Sequence, residues 1–209
     1  MFAVGHLALG YISGKVAAKF LNVNINVPMI FLVSILPDMD FLVPGLMHRG
    51  PMHSIILYTL IFVPFIMLYK KTGIIYFLCL VQHLLLGDFL TAGCGEGIQL
   101  LWPLTSSWYS AGIYLASALS VYLEWTSFLM CLVWMFKSRD LQKLLTHHPS
   151  NLALAVPILS IVLPVFFDIP LHAPFALLIP HMIFLSLFSL SVLIDMKTVL
   201  KMPSNLFSK

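Results

Sequence analysis

Long hydrophobic segments separated by short polar ones run along the whole chain. They lack the strict alternation of barrel strands, and several approach or exceed the roughly 20 residues that a helix needs to cross a bilayer. The pattern predicts an all-α fold, a polytopic transmembrane helical bundle of about 6–7 hydrophobic helices. The segments are about 3–20, 27–45, 54–69, 74–91, 109–136, 151–168 and 174–195. His6, Ser13 and Lys15 lie in the first, which favours a buried or re-entrant helix there.

Composition supports a membrane protein, because 60% of the residues are hydrophobic and 9% are charged. Soluble domains carry about 25% charged residues. The net charge of +3 gives no indication of nucleic-acid binding. Cys79, Cys94 and Cys131 are odd in number and widely spaced, so we assign them to packing rather than to disulfides. We expect one integral membrane domain, 1–209, with a metal site in 1–105 and additional transmembrane helices in 106–209.

Basic residues cluster after alternate hydrophobic segments. The four groups are Lys15 and Lys19, Lys70 and Lys71, Lys137 with Arg139 and Lys143, and Lys197 with Lys201. Seven crossings place all four on one face, which the positive-inside rule identifies as cytoplasmic. The N-terminus is then predicted outside. Arg49 departs from this pattern, which suggests another task for it.

Ionisable residues within or beside membrane helices are costly and usually functional. In this chain they gather toward the predicted non-cytoplasmic end, at His6, Asp38, Asp40, His48, His53 and Asp88, and His83 precedes Asp88 by five positions. Imidazoles and carboxylates together are the ligands of zinc and other transition metals. A divalent metal, with zinc favoured, would neutralise the carboxylates and lower the pKa of a bound water to about 7. Arg49 could hold a phosphate or carboxylate in a bidentate manner.

Each residue also has a plainer interpretation. His6 could be an interfacial histidine, Asp38 a helix cap, His48 and Arg49 a solvated turn, and Asp88 a structural partner of a histidine. Their joint occurrence on one face favours a metal site. Glu124 and His181, within predicted spans, are assigned to interhelical hydrogen bonding.

The ordered motifs resemble those of the YdjM-like membrane-bound metal-dependent hydrolases, described also as LexA-binding and inner membrane-associated. The motifs are Gly-His-x-x-x-Gly from Gly5, Leu-Pro-Asp-x-Asp from Leu36, His-Arg-Gly-x-x-His-Ser from His48, His83 with Asp88 and Thr91, and Leu-Leu-Trp-Pro from Leu100. The resemblance covers about the first half of the chain. It implies a hydrolase in a prokaryotic cytoplasmic membrane.

One spacing departs from the family pattern, His-x-x-x-Asp. His83 and Asp88 are five positions apart, which on an ideal helix separates them by about 140°. Either a π-turn at Gly87 restores the alignment, or one of the two is not a ligand. The register of Thr91 with Asp88 favours keeping Asp88.

The leading functional hypothesis is hydrolysis of an ester or phosphoester, including one carried by a membrane lipid. In it His6, Asp38, Asp40, His53 and Asp88 bind metal, whereas Arg49, His48 and His83 are catalytic. A metal or proton transporter is the first alternative, and it predicts polar groups spread across the whole depth of the bundle. A non-catalytic protein with a structural metal is the second, and it predicts a closed ligand shell.

Overall fold

The computed structural model describes residues 1–92 and 97–201, with side chains up to residue 197. Its α-helices are α1 (Ala3–Leu21), α2 (Val27–Ile35), α3 (Ile55–Tyr69), α4 (Lys71–Gln82), α5 (Ala118–Lys137), α6 (Asp140–Leu144), α7 (Ala155–Phe166) and α8 (Leu178–Lys201). A π-helix, His83–Phe89, continues α4, and 3-10 helices occupy Leu36–Leu42, Pro51–His53, Pro149–Leu154 and Phe175–Leu177. The described residues contain no strand, only an isolated bridge between Ile98 and Tyr109.

The predicted all-helical bundle is confirmed, but the predicted number of spanning helices is not. Within the described ranges, four helical stretches are long and apolar enough to cross a membrane, namely Lys71–Phe89, Ala118–Lys137, Pro149–Phe166 and Phe175–Lys197. Helix α3 is apolar but has only 15 residues. Helix α1 carries a histidine and two lysines, which lower its hydropathy. The remaining hydrophobic segments are therefore helical without each meeting the length and hydropathy of a crossing.

Two predicted segments have different boundaries in the structure. The segment 27–45 is α-helical only to Ile35, because Pro37 supplies no backbone N–H, and the chain continues as a 3-10 helix. The segment 109–136 becomes helical only at Ala118, where the Ser117 hydroxyl accepts from the Ser120 N–H at 3.2 Å. Residues before that cap instead donate hydrogen bonds to the carbonyls of Phe89 and Leu90.

Helix α1 is the buried centre of the bundle, and it packs against α2, α4 and α5. Small residues allow this close approach between helices. A Cβ added at Gly10 would lie 1.8 Å from Ser34 Oγ, and one at Gly14 would lie 2.8 Å from Cys79 Sγ. The expectation that the first segment is buried is therefore confirmed.

Basic side chains meet at the C-terminal end of α1. Lys71 Nζ donates to the Leu21 carbonyl at 3.1 Å, and Lys15 and Lys143 each lie 2.8 Å from a different oxygen of Asp140. His6 lies near the other end of α1, fifteen residues from Leu21, or about 22 Å along the helix axis. The two ends of the bundle thus differ in charge, and the side of the membrane each faces remains a prediction.

Candidate metal centre

Asp38 and Asp40 are carried by the 3-10 helix that follows α2. A 3-10 helix has three residues per turn, so side chains two positions apart diverge by roughly 120°. The two carboxylates therefore cannot both face the same point. Asp38 faces a group of histidines from other helices, whereas Asp40 is buried behind them.

Four side chains from separate parts of the chain offer ligand atoms within 4.8 Å of one another: His6, Asp38, His83 and Asp88. His83 Nε2 lies 3.4 Å from Asp38 Oδ1 and 3.5 Å from Asp88 Oδ2. His6 Nε2 lies 3.4 Å from Asp88 Oδ1, and its ring stacks on that of His83 with the centroids 3.6 Å apart. Donors that share a small transition-metal ion lie roughly 3–4 Å apart, which these separations match.

His53 adds a third imidazole to this group. Its Nε2 lies 3.0 Å from Asp88 Oδ2, 3.5 Å from Asp38 Oδ1 and 3.4 Å from His83 Nε2. We call the five residues His6, Asp38, His53, His83 and Asp88 the polar centre. Three imidazoles and two carboxylates form a donor set typical of zinc and of non-thiolate transition-metal sites.

The π-helix His83–Phe89 brings His83 and Asp88 to the same face despite their spacing of five. An α-helix would turn the two side chains away from each other, whereas an i→i+5 pattern aligns them. Of the two possibilities that the sequence left open, the structure has the π-turn, and it spans Gly87. His83, predicted as catalytic, therefore lies within the polar centre, among the side chains that could hold a metal.

The tautomer of His83 is fixed by a backbone carbonyl. His83 Nδ1–H donates to the Ser34 oxygen at 2.7 Å, near the end of α2, where carbonyls lack helical partners. Nε2 therefore faces Asp38, His53 and Asp88. Metal-binding histidines are typically oriented by such a second hydrogen bond.

Asp40, predicted as a ligand, lies behind the polar centre instead of within it. Its Oδ1 accepts from His48 Nδ1 at 2.9 Å, and its Oδ2 accepts from the Arg49 backbone N–H at 2.9 Å. His53 Nδ1 lies 3.3 Å from Oδ2, out of line for a hydrogen bond. Asp40 thus orients His48 by a hydrogen bond and places a negative charge beside His53.

Arg49 is paired with Asp88. Its Nη2 lies 3.2 Å from Asp88 Oδ1, and the Met1 amine lies 2.8 Å from the same oxygen. The buried Arg49 Nε has no hydrogen-bond partner. The Arg49 guanidinium and the Met1 amine thereby compensate the negative charge at Asp88 Oδ1. The other oxygen, Oδ2, faces His53 and His83.

The chemistry of the polar centre fits a bound cation. Burial acts to raise the pKa of Asp38, but His83, His53 and His6 outweigh it and hold that pKa well below 3.8. Burial likewise opposes the lowering of the pKa of Asp40 by His48 and His53. Both shifts favour the ionised carboxylate. Both ring nitrogens of His6 and Asp88 Oδ2 are buried without a hydrogen-bond partner, a costly arrangement that coordination would relieve.

Glu124 forms the interhelical hydrogen bonds that the sequence predicted for it, and through them it supports the backbone of α1 beside the centre. Its carboxylate, fully buried on α5, accepts from the Phe2 N–H at 2.8 Å and from the Gly5 N–H at 3.2 Å. These N–H groups lie at the beginning of α1, where helical donors lack partners. Glu124 therefore anchors the helix turn that carries His6. The carboxylate within an apolar span was the available signal.

A narrow cavity of about 30 Å³ adjoins the polar centre. Asp38, His48 and Arg49 line its polar side, and apolar residues from the second half of the chain line the other, including Leu115, Pro164 and Leu171. This volume admits about two water molecules. The later helices thus complete the surroundings of a centre built by the first half of the chain.

Other histidines lie apart from the polar centre. His181 Nδ1–H donates to the Leu177 carbonyl, four residues earlier in the chain, at 2.7 Å. This nitrogen therefore does not form the interhelical hydrogen bond that the sequence predicted. His172 is exposed and contacts Asp168. Cys94 lies outside the described residues, and the buried Cys79 and Cys131 are free thiols.

The family model described as YdjM inner membrane protein matches residues 1–170, which include the whole polar centre, Asp40 and Glu124. The curated proteins gave no match. The solved structures gave none either.

Proposed function

The chain belongs to the YdjM inner membrane protein family, and from that premise we propose that it is a membrane-embedded, metal-dependent hydrolase of an ester or phosphoester. The observation that carries the proposal is the polar centre, whose three imidazoles and two carboxylates converge within one buried volume. Such a convergence of buried titratable groups in an apolar bundle costs stability, so it indicates function.

His6, Asp38, His53, His83 and Asp88 would hold the metal. A divalent ion, zinc in the first place, would supply a water of lowered pKa, about 7, and would polarise the scissile group. The Ser34 carbonyl keeps His83 oriented for this task, and Asp40 does the same for His48. The surrounding apolar helices keep bulk water away, which strengthens each electrostatic contact.

His48 is suited to be the general base. Its Nδ1–H donates to Asp40, so Nε2 presents a lone pair, and the side chain is 22% exposed in the wall of the cavity. In the proposed reaction a water oxygen bonds to the ester carbon or phosphorus, and its proton passes to His48 Nε2. The bond to the leaving oxygen breaks, and His48 returns the proton to that oxygen.

Arg49 supplies the positive charge for an anionic substrate. It lines the same cavity as His48 and Asp38, and its Nε is free of hydrogen-bond partners. A phosphate or carboxylate oxygen would satisfy that donor and stabilise charge that develops during the reaction. The substrate class expected is therefore a negatively charged ester, which includes lipid phosphoesters.

The test uses the purified full-length chain in detergent, loaded with zinc, and measures bound metal together with cleavage of an aryl phosphodiester. Asp38→Asn should lower both the metal content and turnover at least tenfold. Asp168→Asn, which removes an exposed carboxylate, is the matched control and should change neither. Wild-type protein that retains no metal would overturn the proposal. Metal without cleavage of any aryl ester or phosphoester would reassign the centre to structure or transport.

A further inference from the structure

A basic recess lies at the end of the bundle opposite the polar centre. It has a volume of about 400 Å³ and is formed where α1 and α5 end, with three lysines in its lining, Lys15, Lys19 and Lys143. Ser138 and Trp134 of the α5 end complete its wall. None of these residues takes part in the function proposed above.

The recess carries uncompensated positive charge. Lys15 and Lys143 both pair with the single carboxylate of Asp140, at 2.8 Å each. Lys19 is exposed and has no ionic partner among the described residues. Three ammonium groups thus face one carboxylate, which leaves two positive charges at the mouth of a polar recess. A phosphate group is an anion that this excess of positive charge would attract.

An apolar groove begins where the recess ends. It follows the outer face of α5, has a volume of about 610 Å³ and is lined by Leu129, Met130 and Val133. Trp134 and Ser138 line both the recess and the groove, so the two are continuous. Helix α5 is one of the candidate membrane spans, and Met130 and Val133 are 54% and 55% exposed. The groove therefore faces the lipid chains and descends from the basic recess.

We propose that this recess and groove form a binding site for an anionic phospholipid, with the phosphate among Lys15, Lys19 and Lys143 and an acyl chain along α5. Charge complementarity and the continuity of polar and apolar surfaces carry this assignment. Lysines at the end of a span attract anionic headgroups, and Trp134 has the position of an interfacial tryptophan. The lipid acts as a bound structural or regulatory partner, separate from the polar centre.

The test is lipid binding by native mass spectrometry of the intact chain in detergent, with phosphatidylglycerol, phosphatidylcholine and inorganic phosphate as probes. The wild type should bind phosphatidylglycerol more tightly than phosphatidylcholine. The double variant Lys19→Gln/Lys143→Gln should weaken phosphatidylglycerol binding about 25-fold, since each lysine contributes about fivefold. Lys15 stays in place to pair with Asp140, which protects the fold.

The matched control is Lys70→Gln/Lys197→Gln, which removes the same charge from exposed positions outside the recess. It should bind phosphatidylglycerol as the wild type does. If both double variants lost phosphatidylglycerol affinity equally, net charge alone would explain the effect, and the proposed binding site would be wrong. Inorganic phosphate that binds as tightly as the lipid would show that the acyl chain contributes nothing to binding, and so would short-chain phosphatidylglycerol that binds as well as long-chain. Either result would exclude the groove from the binding site and overturn the lipid assignment.

Discussion

The imidazole of His6 lies directly against Gly87, in the place that a side chain there would occupy. A Cβ added at Gly87 would lie 2.3 Å from His6 Cε1 and 2.5 Å from His6 Nδ1. Gly87 also lies within the π-helix that aligns His83 with Asp88. Gly87 thus leaves room for the His6 ring and also lies in the π-helix that aligns the neighbouring side chains.

We therefore predict that Gly87→Ala displaces His6 and weakens zinc binding by about 10–100-fold, the range seen when residues that orient ligands are changed. The measurement is zinc affinity of the purified protein by competition with a chelator. Leu86→Ala, the neighbouring lipid-exposed position of the same π-helix, is the control and should retain wild-type affinity. Wild-type affinity in Gly87→Ala would exclude His6 as a ligand.

A second prediction concerns Glu124, which anchors the beginning of α1. Glu124→Gln keeps the size of the side chain but weakens its acceptor capacity toward the Phe2 and Gly5 N–H groups. We expect zinc affinity to fall about tenfold while the chain still folds. Thr126→Val, which removes an exposed hydroxyl from the same helix, should have no effect on affinity. An effect equal to that of the control would reduce Glu124 to a packing role.

The sequence was sufficient to predict the helical bundle and the set of polar residues that converge, because long apolar segments and misplaced charges are local signals. The roles within the set depended on backbone geometry. Asp40 was placed among the ligands because Asp-x-Asp gives no sign of a 3-10 helix, which turns the second carboxylate away. His83 was placed among the catalytic residues because its alignment with Asp88 required a π-helix that a spacing of five only suggests.

The number of crossings could not be obtained from hydrophobic segments alone. Helix α1 reads as a weak span, yet it is enclosed by α2, α4 and α5, and its glycines and alanines serve close packing. The Glu124 and Ser34 contacts join residues far apart in sequence, so no local pattern could reveal them. The role of such a residue depends on contacts made in the folded chain, which the sequence around it does not contain.

A third prediction is a pH dependence at Asp140. Burial acts to raise its pKa, but Lys143, Lys15, Tyr11 and Ser138 outweigh this and lower the pKa to about 2. A carboxyl whose folded-state pKa is depressed stabilises the fold above its unfolded value near 3.9, and loses this contribution as the pH falls toward 2. Asp140→Asn should therefore lower the Tm by about 4–8 °C at pH 6, from roughly 2 kcal/mol, and by about half as much near pH 3.

The measurement is the difference in Tm between wild type and Asp140→Asn across that pH range, in one detergent. Asp168→Asn, at an exposed ion pair, serves as the comparison and should shift the Tm little at any pH. A difference at Asp140 that stays constant down to pH 3 would show that its charge does not stabilise the fold.

The last prediction separates a hydrolase from a protein that only holds a metal, and it rests on Arg49. Its Nη2 pairs with Asp88 Oδ1, and its buried Nε has no partner, within the wall of the cavity beside Asp38 and His48. Lysine keeps the charge that compensates Asp88 but loses the planar fork that grips a phosphate or carboxylate. Arg49→Lys should thus leave zinc content nearly unchanged and lower turnover of an anionic phosphodiester tenfold or more, about 1.4 kcal/mol in the barrier.

A neutral aryl ester is the internal control, because it presents no anion to Arg49 and should lose much less turnover in the same variant. Loss of zinc in Arg49→Lys would assign the residue to the structure of the centre through Asp88. Equal loss of turnover on the neutral and anionic substrates would exclude an anion-binding role for Arg49. If Arg49 binds the substrate anion, its loss must affect the anionic substrate more than the neutral one. Selective loss on the anionic substrate, with metal retained, is the outcome that only a substrate-binding arginine produces.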